Sequence, residues 1–285
     1  MSTLDERLAQ RTSLGTWTFD NRFEYRFGLG RIYSGGPTDP DARAYIAAVE
    51  AADGQALEDG VKTAYDDFVI GCKSDGIWSA IKASCILAGA RTIDGALVPL
   101  VGTAPTNFNF VSGDYNRETG LKGDGSTKYL DSNRNNNADP QNSQHMVIFP
   151  TLVNTTDQDR VYMGVGLVDI GSTYFFTRSG DAAARNRSAN GNSGLTRGAA
   201  NALIGMNRSA ANEFIYRQSG VSQTISRNSE IPLSASISLY QGNGFSSAAL
   251  SNARLSFYSI GESLDLAALD TRVSNLITAI GVAIL

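Results

Sequence analysis

Histidine is almost absent from this chain of 285 residues, which has only His145. Zinc sites with two or three imidazole ligands and the HExxH helix of zinc proteases are therefore excluded. A Ser-His-Asp or Cys-His arrangement would have to use His145. Because His145 opens the apolar run Met146–Phe149, we predict that it is the first residue of a buried strand and has a structural role.

Motifs for nucleotide and redox chemistry are missing too. The sequence has no GxxxxGK[ST] phosphate loop, no GxGxxG between a strand and a helix, and no CxxC pair. The two cysteines, Cys72 and Cys85, lie in segments predicted to be helical. Since disulfides are rare in the cytosol, we expect both to be buried free thiols. We expect neither a cofactor nor a metal.

Charge is scarce. Charged residues make up 18% of the chain, below the usual ~25%, and the formal net charge is −4. Nucleic acid and anionic membranes are therefore not expected partners. No apolar run approaches the ~20 residues that span a bilayer. The start, Met1–Arg7, lacks the features of a secretory signal, so we expect the protein to be made and kept in a cytoplasm until it is released.

Paired carboxylates are the enzymatic arrangement that remains, because glycoside hydrolysis needs two of them about 5–9.5 Å apart. On a strand they would stand at positions i and i+2, which share a face. Asp157 and Asp159 have this spacing but lie in the polar segment Asn154–Asp159, which predicts a solvated turn. Other glutamates have no acidic residue two positions away: Glu118, Glu213, Glu230 and Glu262. We therefore predict that the chain is not an enzyme; carboxylates converging from distant strands are the alternative.

Glycine, in contrast, is abundant, with 29 residues, or about 10% against an average of roughly 7%. From residue 95 onward, short apolar or alternating runs are separated by clusters of Gly, Asn, Ser and Asp, which predicts many short strands. Most connections are too short for crossover helices, so antiparallel pairing is expected. The predicted strands are Ala96–Val101, Phe108–Val111, Tyr129–Leu130, Met146–Phe149, Val161–Val165, Tyr174–Thr177, Ala202–Met206, Glu213–Tyr216, Ile237–Tyr240 and Ala253–Ile260. We predict a mainly β protein with an antiparallel sandwich over residues 94–262.

Helices are predicted on both sides of this β-region. Asp39 before Pro40 is typical of an N-cap and a first helical position, and this helix should end at Asp53-Gly54. Further helices over residues 55–73 and 76–89 make 37–93 a small helical segment. Residues 263–285 are predicted to form a last helix with an apolar stripe of Leu266, Leu269, Val273, Leu276 and Ile280. We expect this helix to pack on the sandwich; a short dimer or trimer contact is the alternative.

The opening residues, 1–36, have a pattern of their own. Large aromatic side chains alternate there with polar ones in two short stretches, which predicts two half-buried strands. The aromatic residues are Trp17, Phe19, Phe23, Tyr25 and Phe27. Two short strands are marginal alone, so they must pack on the rest of the chain or on another protein. We interpret this segment as a β arm for anchoring and assembly.

Three stretches of the β-region, in order, resemble concanavalin A-like and laminin G-like sandwiches. Gly120–Leu130 resembles their early strand–turn–strand, Phe214–Val221 a later hairpin, and Ala253–Gly261 the closing strand before a leucine-rich helix. The stretch Asp66–Pro140, with Gly76-Ile77-Trp78 and Asn107-Phe108-Asn109-Phe110, resembles structural proteins of tailed bacteriophages. The resemblance covers residues 40–285 and implies a jelly-roll-like sandwich.

The resemblance also implies a function. It indicates a non-enzymatic structural protein of a tailed-phage virion, of the tail-fibre or baseplate type, located in the particle. The same sandwich occurs in glycanases, but their catalytic strand carries acidic residues at alternate positions, a pattern that this chain lacks. The implied partners are other virion proteins and copies of the chain itself, in a homotrimer by analogy. A capsid decoration protein and a glycan hydrolase are the alternatives.

A contact with host-surface polysaccharide is a further expectation. Aromatic faces together with Asn, Asp and Arg suit polyhydroxyl ligands, because they offer stacking and hydrogen bonds. The candidate residues are Asn133, Arg134, Asn135, Asn136, Asn137 and Tyr174. An Asn-rich run is also typical of a turn, which is the alternative interpretation. The oxygens of Asp131–Asp139 do not by themselves define a cation site.

Overall fold

The computed structural model describes residues 36–154, 159–166, 170–244 and 249–285. The chain divides into two compact units, Met1–Gly35 and Gly36–Leu285, and the described residues belong to the second. The predictions for the anchoring arm therefore lie outside the described residues; they concern Trp17, Phe19, Phe23, Tyr25 and Phe27.

Helices frame a long series of strands. The helices are α1 (Pro40–Asp53), α2 (Asp59–Ser74), α3 (Ile93–Ala96) and α4 (Leu266–Ile284). The strands are β1 (Ile81–Ile86), β2 (Thr106–Phe108), β3 (Tyr115–Asn116), β4 (Gly120–Lys122), β5 (Tyr129–Asn135), β6 (Gln144–Leu152), β7 (Arg160–Val165), β8 (Ser172–Thr177), β9 (Ala182–Ser188), β10 (Asn192–Leu195), β11 (Ile204–Arg208), β12 (Glu213–Gln218), β13 (Val221–Ser226), β14 (Ser236–Leu239), β15 (Gly242–Asn243) and β16 (Arg254–Gly261).

The strands form two eight-stranded sheets, as the prediction of an antiparallel sandwich requires. Sheet A has the order β13-β12-β11-β6-β16-β4-β3, with β1 also paired to β16. Sheet B has the order β10-β9-β8-β7-β14-β5-β2, with β15 also paired to β7. The pairings between these strands are antiparallel except for that of β15 with β7, which is parallel.

Two apolar cores organise the described unit into three layers. One core lies between the sheets and includes Met146, Phe175 and Tyr258. The other lies on the opposite face of sheet A, where Phe149 and Phe257 belong to the same cluster as side chains of α1, α2 and α4. The order of the layers is therefore helices, sheet A and sheet B, and the central strands of sheet A, β6 and β16, are buried on both faces.

The first helix follows its sequence signals. The Asp39 carboxylate accepts hydrogen bonds from the backbone N–H groups of Asp41 and Ala42, and Pro40 occupies the first helical position. Gly54 ends the helix with a left-handed φ of 68°. The second helix begins at Asp59 rather than at residue 55.

The helix predicted over residues 76–89 is wrong. A short 3-10 turn, Trp78–Ala80, is followed there by β1, which pairs with β16. Because sheet A lies between two cores, β1 is buried on both faces: Ala83 and Cys85 point into the core between the sheets, and Ile86 into the helical one. Apolar residues on both faces reproduce spacings that also fit a helix. The sandwich thus begins inside the segment predicted to be helical.

The strand predicted over Ala96–Val101 is also wrong. Helix α3, capped by the Thr92 hydroxyl, ends at Ala96, and Val101 forms only an isolated bridge with Ser84. The other predicted strands overlap observed ones, although Phe108–Val111 does so only at Phe108. Strands β3, β9, β10, β13 and β15 were not predicted, and β4 only through the resemblance of Gly120–Leu130.

The predicted C-terminal helix is confirmed as α4. Its apolar stripe is buried in the core that α4 shares with α2 and sheet A: Leu266, Leu269, Val273, Leu276 and Ile280. By length and composition alone, α4 is also apolar enough to cross a membrane, a test that core helices pass as well. The contact expected between helix and sandwich is therefore made within one chain.

Candidate functional site

The outward face of sheet B is the broad surface of the sandwich that the described helices do not cover, since they pack on sheet A. Strand register defines which side chains share that face, because directly paired residues point the same way. One row runs across the sheet through Thr106, Asp131, Ser238, Gly164, Tyr174 and Arg185. The side chains in the middle of this face differ in exposure from those at its end, which is formed by β2 and β5.

The middle of the face is filled by its own side chains. Tyr174 is only 7% exposed and belongs to a small cluster with Val161, Phe176 and Ala183, against which Ala249 packs. Its ring centroid lies 5.5 Å from that of Phe176. Tyr174, a candidate glycan contact from the sequence, is thus a packing residue in this structure.

The Asn-rich segment divides into structural and exposed residues. Asn136 is fully buried: its amide N–H donates to the Gly171 carbonyl at 2.9 Å, and its amide oxygen accepts from Gln144 and Thr173. Arg134 forms an ion pair with the buried carboxylate of Asp139. These two side chains hold the segment in place, and the amide of Asn136 is not available to a ligand.

The remaining candidates are accessible. Asn133, Asn135 and Asn137 are exposed. Asn133 has a left-handed φ of 55°, and its amide donates to the Ala104 carbonyl at 2.8 Å, which fits the turn interpretation. The amides of Asn135 and Asn137 make no hydrogen bond with the described residues. That this segment binds a glycan stays a prediction.

An aromatic pair lies at the end of the same face. The rings of Phe108 and Tyr129 stack at a centroid distance of 4.3 Å and an interplanar angle of 7°. They are directly paired across β2 and β5, and Phe108 is 36% exposed. We use the name edge patch for the residues that these two strands place on this face: Thr106, Phe108, Tyr129, Asp131, Asn133 and Asn135.

The sequence analysis did not name Phe108 or Tyr129 as site residues. The alternation of Asn and Phe in Asn107–Phe110 would place Phe108 and Phe110 on the same face of a strand, provided that the strand continues through both. Instead β2 ends at Phe108, and Asn109 takes a left-handed φ of 68°. Phe110 therefore turns into the core at 5% exposure while Phe108 stays outside.

The edge patch carries a carboxylate, that of Asp131, which forms no ion pair with the residues that the structure describes. The Oδ1 atom of Asp131 accepts hydrogen bonds from the backbone N–H of Asn133, at 2.8 Å, and from the Ser236 hydroxyl. The Oδ2 atom has no hydrogen bond among the described residues. The nearby cation Lys128 is paired with Asp114 at 2.6 Å. The patch therefore offers hydrogen-bond acceptors and a negative charge.

His145 has the structural place predicted for it. It is fully buried in β6, with Nδ1 at 2.6 Å from the Glu262 carbonyl and Nε2 at 2.7 Å from the Ser259 hydroxyl. Burial lowers the pKa of His145 to about 4, so the ring is neutral near pH 7. Nδ1 then carries the proton donated to the carbonyl, and Nε2 accepts from the hydroxyl.

Two of the most buried carboxylates, Asp66 and Asp270, are hydrogen-bonded or ion-paired within the fold. Asp66 accepts hydrogen bonds from the backbone N–H groups of Thr38 and Asp39 at 2.9 and 2.8 Å. Asp270 lies 2.8 Å from the guanidinium of Arg217. Of the pair considered from the sequence, Asp159 is exposed and Asp157 lies outside the described residues. Asp66 and Asp270 are therefore held by contacts within the fold.

The two cysteines are buried free thiols, as predicted. Burial raises the pKa of Cys72 and of Cys85 to about 12, so neither is a thiolate at neutral pH. In the part of the chain that the structure describes, no group of three or more His, Cys, Asp or Glu side chains is placed to hold a metal ion.

A groove of about 500 Å³ lies where α1 meets the segment before residue 102. Its apolar wall consists of Tyr45, Trp78, Ile81, Pro99, Leu100 and Val101. Its charged groups already have partners: Asp41 pairs with Lys73 at 2.6 Å and Lys82 with Glu262 at 3.0 Å. The charged groups of this groove are therefore engaged in ion pairs.

Comparisons with known proteins give only distant similarities. No family model and no curated protein matches the sequence. Among solved structures, the chain is similar to the binding domain of botulinum neurotoxin serotype D, with 12% identity and a TM-score of 0.46, over 69% of this chain and 51% of that one. It is also similar to Trypanosoma rangeli sialidase in complex with sialic acid, with 10% identity and a TM-score of 0.49, over 71% of this chain and 34% of that one. The chain thus spans about half or less of the length of these structures.

Proposed function

We propose that this chain is a non-enzymatic adhesion and assembly protein: a structural component of a tailed-phage virion, of the tail-fibre or baseplate type, whose sandwich contacts a host-surface glycan. The observation that carries the adhesive part is the edge patch. Helices occupy the outer side of sheet A, while this end of sheet B leaves Phe108 of the stacked aromatic pair exposed, together with Asn133 and Asn135 of β5. Exposed aromatic and acceptor groups together are the chemistry that recognises sugars.

The rest of the described chain supports a scaffold role. The single histidine, both thiols and the most buried carboxylates are held by hydrogen bonds, ion pairs or burial within the fold. Sheet A is fixed between two cores, which gives a rigid support for a surface presented on sheet B. The virion assignment itself rests on the sequence resemblance to structural proteins of tailed phages.

The location of the chain in a particle tests this proposal. Particles produced by the strain that encodes the chain are labelled with gold-conjugated antibodies against the full-length protein, and copies per particle are counted by quantitative mass spectrometry. We expect labels at the end of the tail and a copy number in the tens. Labels spread over the capsid with hundreds of copies would instead support a decoration protein, and particles without the chain would refute a virion role.

A further inference from the structure

We infer that β13, the last strand of sheet A, is a contact surface for a second copy of this chain, and that the two β13 strands pair antiparallel about a two-fold axis at Thr224. Sheet A then continues from one copy into the other. The inference goes beyond the proposed function and does not depend on it. It follows from the free backbone groups of β13, from the symmetry of their spacing, and from the charges around them.

Strand β13 is the longest of the strands that end the two sheets. The order of sheet A ends with β13 and β3, and that of sheet B with β10 and β2. Strand β13 has six residues and pairs with β12 over its full length without a register shift. In contrast, β3 has two residues, β2 has three, and β10 has four with a register shift. A long and regular edge is the kind of strand to which another strand can be added.

The turn between β12 and β13 determines which backbone groups of β13 are free. The N–H of Ser219 donates to the carbonyl of Leu203 on the β11 side. Because the backbone groups of a strand point alternately to its two sides, those of Gln218 point to β13, where Gln218 pairs with Val221. The backbone groups that point to the free edge therefore belong to every second residue: Ser222, Thr224 and Ser226.

These groups have little else to bind within the chain. Among the described residues, the Ser226 carbonyl accepts a hydrogen bond from the adjacent guanidinium of Arg227 at 3.2 Å. The N–H groups of Ser222, Thr224 and Ser226 make none to the described part of the chain beyond β12. A carbonyl oxygen has two lone pairs, so that of Ser226 can accept a second hydrogen bond. A second strand can thus use all three residues.

The spacing of the three residues is symmetric about Thr224. In an antiparallel pair of two β13 strands centred there, Thr224 lies opposite Thr224 of the second copy, and Ser222 lies opposite Ser226. Each of these three pairs can exchange two backbone hydrogen bonds, as the hydrogen-bonded pairs of antiparallel strands do. Both copies use the same groups, so the contact is closed and adds no third copy.

The side chains of the three residues are small and uncharged. They lie on the face of sheet A that packs on the helices, because Ser222 is paired with Arg217, whose guanidinium contacts Asp270 of α4. Short side chains let a second strand approach. A threonine directly opposite a threonine is also a favourable cross-strand pair.

The charges around β13 are compatible with a second copy. Residues 219–226 contain no charged side chain and no proline, although charge, proline and bulges are the features by which natural edge strands avoid pairing. Residues 189–195, which include β10, contain no charge either, and Asn192 accepts a hydrogen bond from Arg227 beside β13. In the proposed register, the row that contains Glu213 of one copy continues into Arg217 of the other, so these charges have opposite signs.

The test is sedimentation velocity of the full-length protein over a range of concentrations. We expect a monomer–dimer equilibrium with a Kd of about 1–100 µM, because a contact of six residues lies at the small end of interfaces. Thr224→Lys and Thr224→Glu should each raise this Kd at least about tenfold, since two like charges then lie directly opposite at the axis. An equimolar mixture of the two variants should restore the dimer, because lysine then lies opposite glutamate.

The matched control is Thr106→Lys, which places the same charge on an exposed threonine of β2, the strand that ends sheet B. It should dimerise like the wild type, and circular dichroism with thermal unfolding verifies that every variant is folded. A wild type that stays monomeric, a trimer, a dimer that tolerates both Thr224 variants, or a mixture of these variants that stays monomeric would overturn the inference. A virion location is tested separately, by labelling of particles.

Discussion

The imidazole of His145 is neutral in the folded protein because it is fully buried in β6, a central strand of sheet A. Its pKa falls from 6.5 to about 4 on folding. In the unfolded chain the ring takes up a proton below pH 6.5, whereas the folded protein does not until near pH 4. The contribution of neutral His145 to stability is therefore complete above pH 6.5 and is lost as the pH falls through this window.

We predict that the free energy of unfolding decreases by about 3 kcal/mol between pH 7 and pH 4 through His145 alone. Urea denaturation followed by circular dichroism at several pH values measures this change. His145→Gln, which keeps one donor and one acceptor, should have a flatter dependence over the same range. Equal slopes for the two proteins would show that His145 is not the group responsible.

Gly120, at the start of the resemblance to concanavalin A-like sandwiches, is required by the backbone. It has a φ of 98°, and an added Cβ would lie 2.1 Å from the backbone oxygen of Leu255. We predict that Gly120→Ala destabilises the protein by about 3 kcal/mol or more, because backbone strain and steric overlap add.

The control for this substitution is Gly76→Ala. Gly76 also has a positive φ, of 71°, but no atom lies within 4 Å of an added Cβ. It should cost about 1 kcal/mol from strain alone. Urea denaturation of both variants separates the two effects, and equal losses would argue against the close approach of Gly120 to β16.

At the scale of elements, the sequence predicted segments whose apolar residues are evenly spaced or continuous. The stripe of α4 and the apolar run Met146–Phe149 of β6, which is buried on both faces, are examples. Strand β1 was predicted as a helix because both of its faces are buried, which removes the alternation of period two. Strand β9 was not predicted because it contains Arg185 and Arg187, which are not expected in a buried strand, although β9 is buried throughout. The Nη1 and Nη2 atoms of Arg187 donate to backbone carbonyls, such as that of Pro140 at 2.5 Å from Nη1, which no hydropathy pattern reveals.

The stripe of α4 provides a test of how the helical layer is held. Leu276 is 2% exposed in the core shared with sheet A, whereas Val282 on the same helix is 71% exposed. We predict that Leu276→Ala lowers the free energy of unfolding by about 2–5 kcal/mol, because it leaves a cavity. Val282→Ala should change it by less than about 0.5 kcal/mol. If thermal unfolding shows similar losses for both, α4 is not packed on the sandwich as described.

At the scale of the whole molecule, we predict different roles for residues 1–36 and for the sandwich. The described unit, Gly36–Leu285, is compact by itself. We predict that deletion of residues 1–36 leaves a folded sandwich with cooperative thermal unfolding, but that the shortened chain no longer enters particles when it replaces the full-length chain. Mass spectrometry of purified particles measures incorporation. Normal incorporation would refute the anchoring role of this segment.

The frequent turns and short strands in the sequence predict the sandwich, but they do not predict which of its two sheets keeps an exposed face. Which sheet the helices cover depends on contacts between α4, α2 and sheet A, and these residues are far apart in sequence. The candidate Asn136 and the packing residue Tyr174 were chosen for their chemistry, and only the three-dimensional arrangement shows that they are buried. Alternation in Asn107–Phe110 predicts one face for Phe108 and Phe110, but because β2 ends at Phe108, Phe110 turns into the core and Phe108 stays exposed.

The most direct test of the account is to measure binding and turnover together. The full-length protein is incubated with the polysaccharide that retards it most strongly in affinity electrophoresis, and bound protein and newly formed reducing ends are followed in the same sample. We predict saturable binding that Phe108→Ala weakens, with no increase in reducing ends over prolonged incubation. Reducing ends that accumulate with the wild type and disappear on substitution of an aspartate or glutamate would contradict the account and identify the chain as a glycan hydrolase.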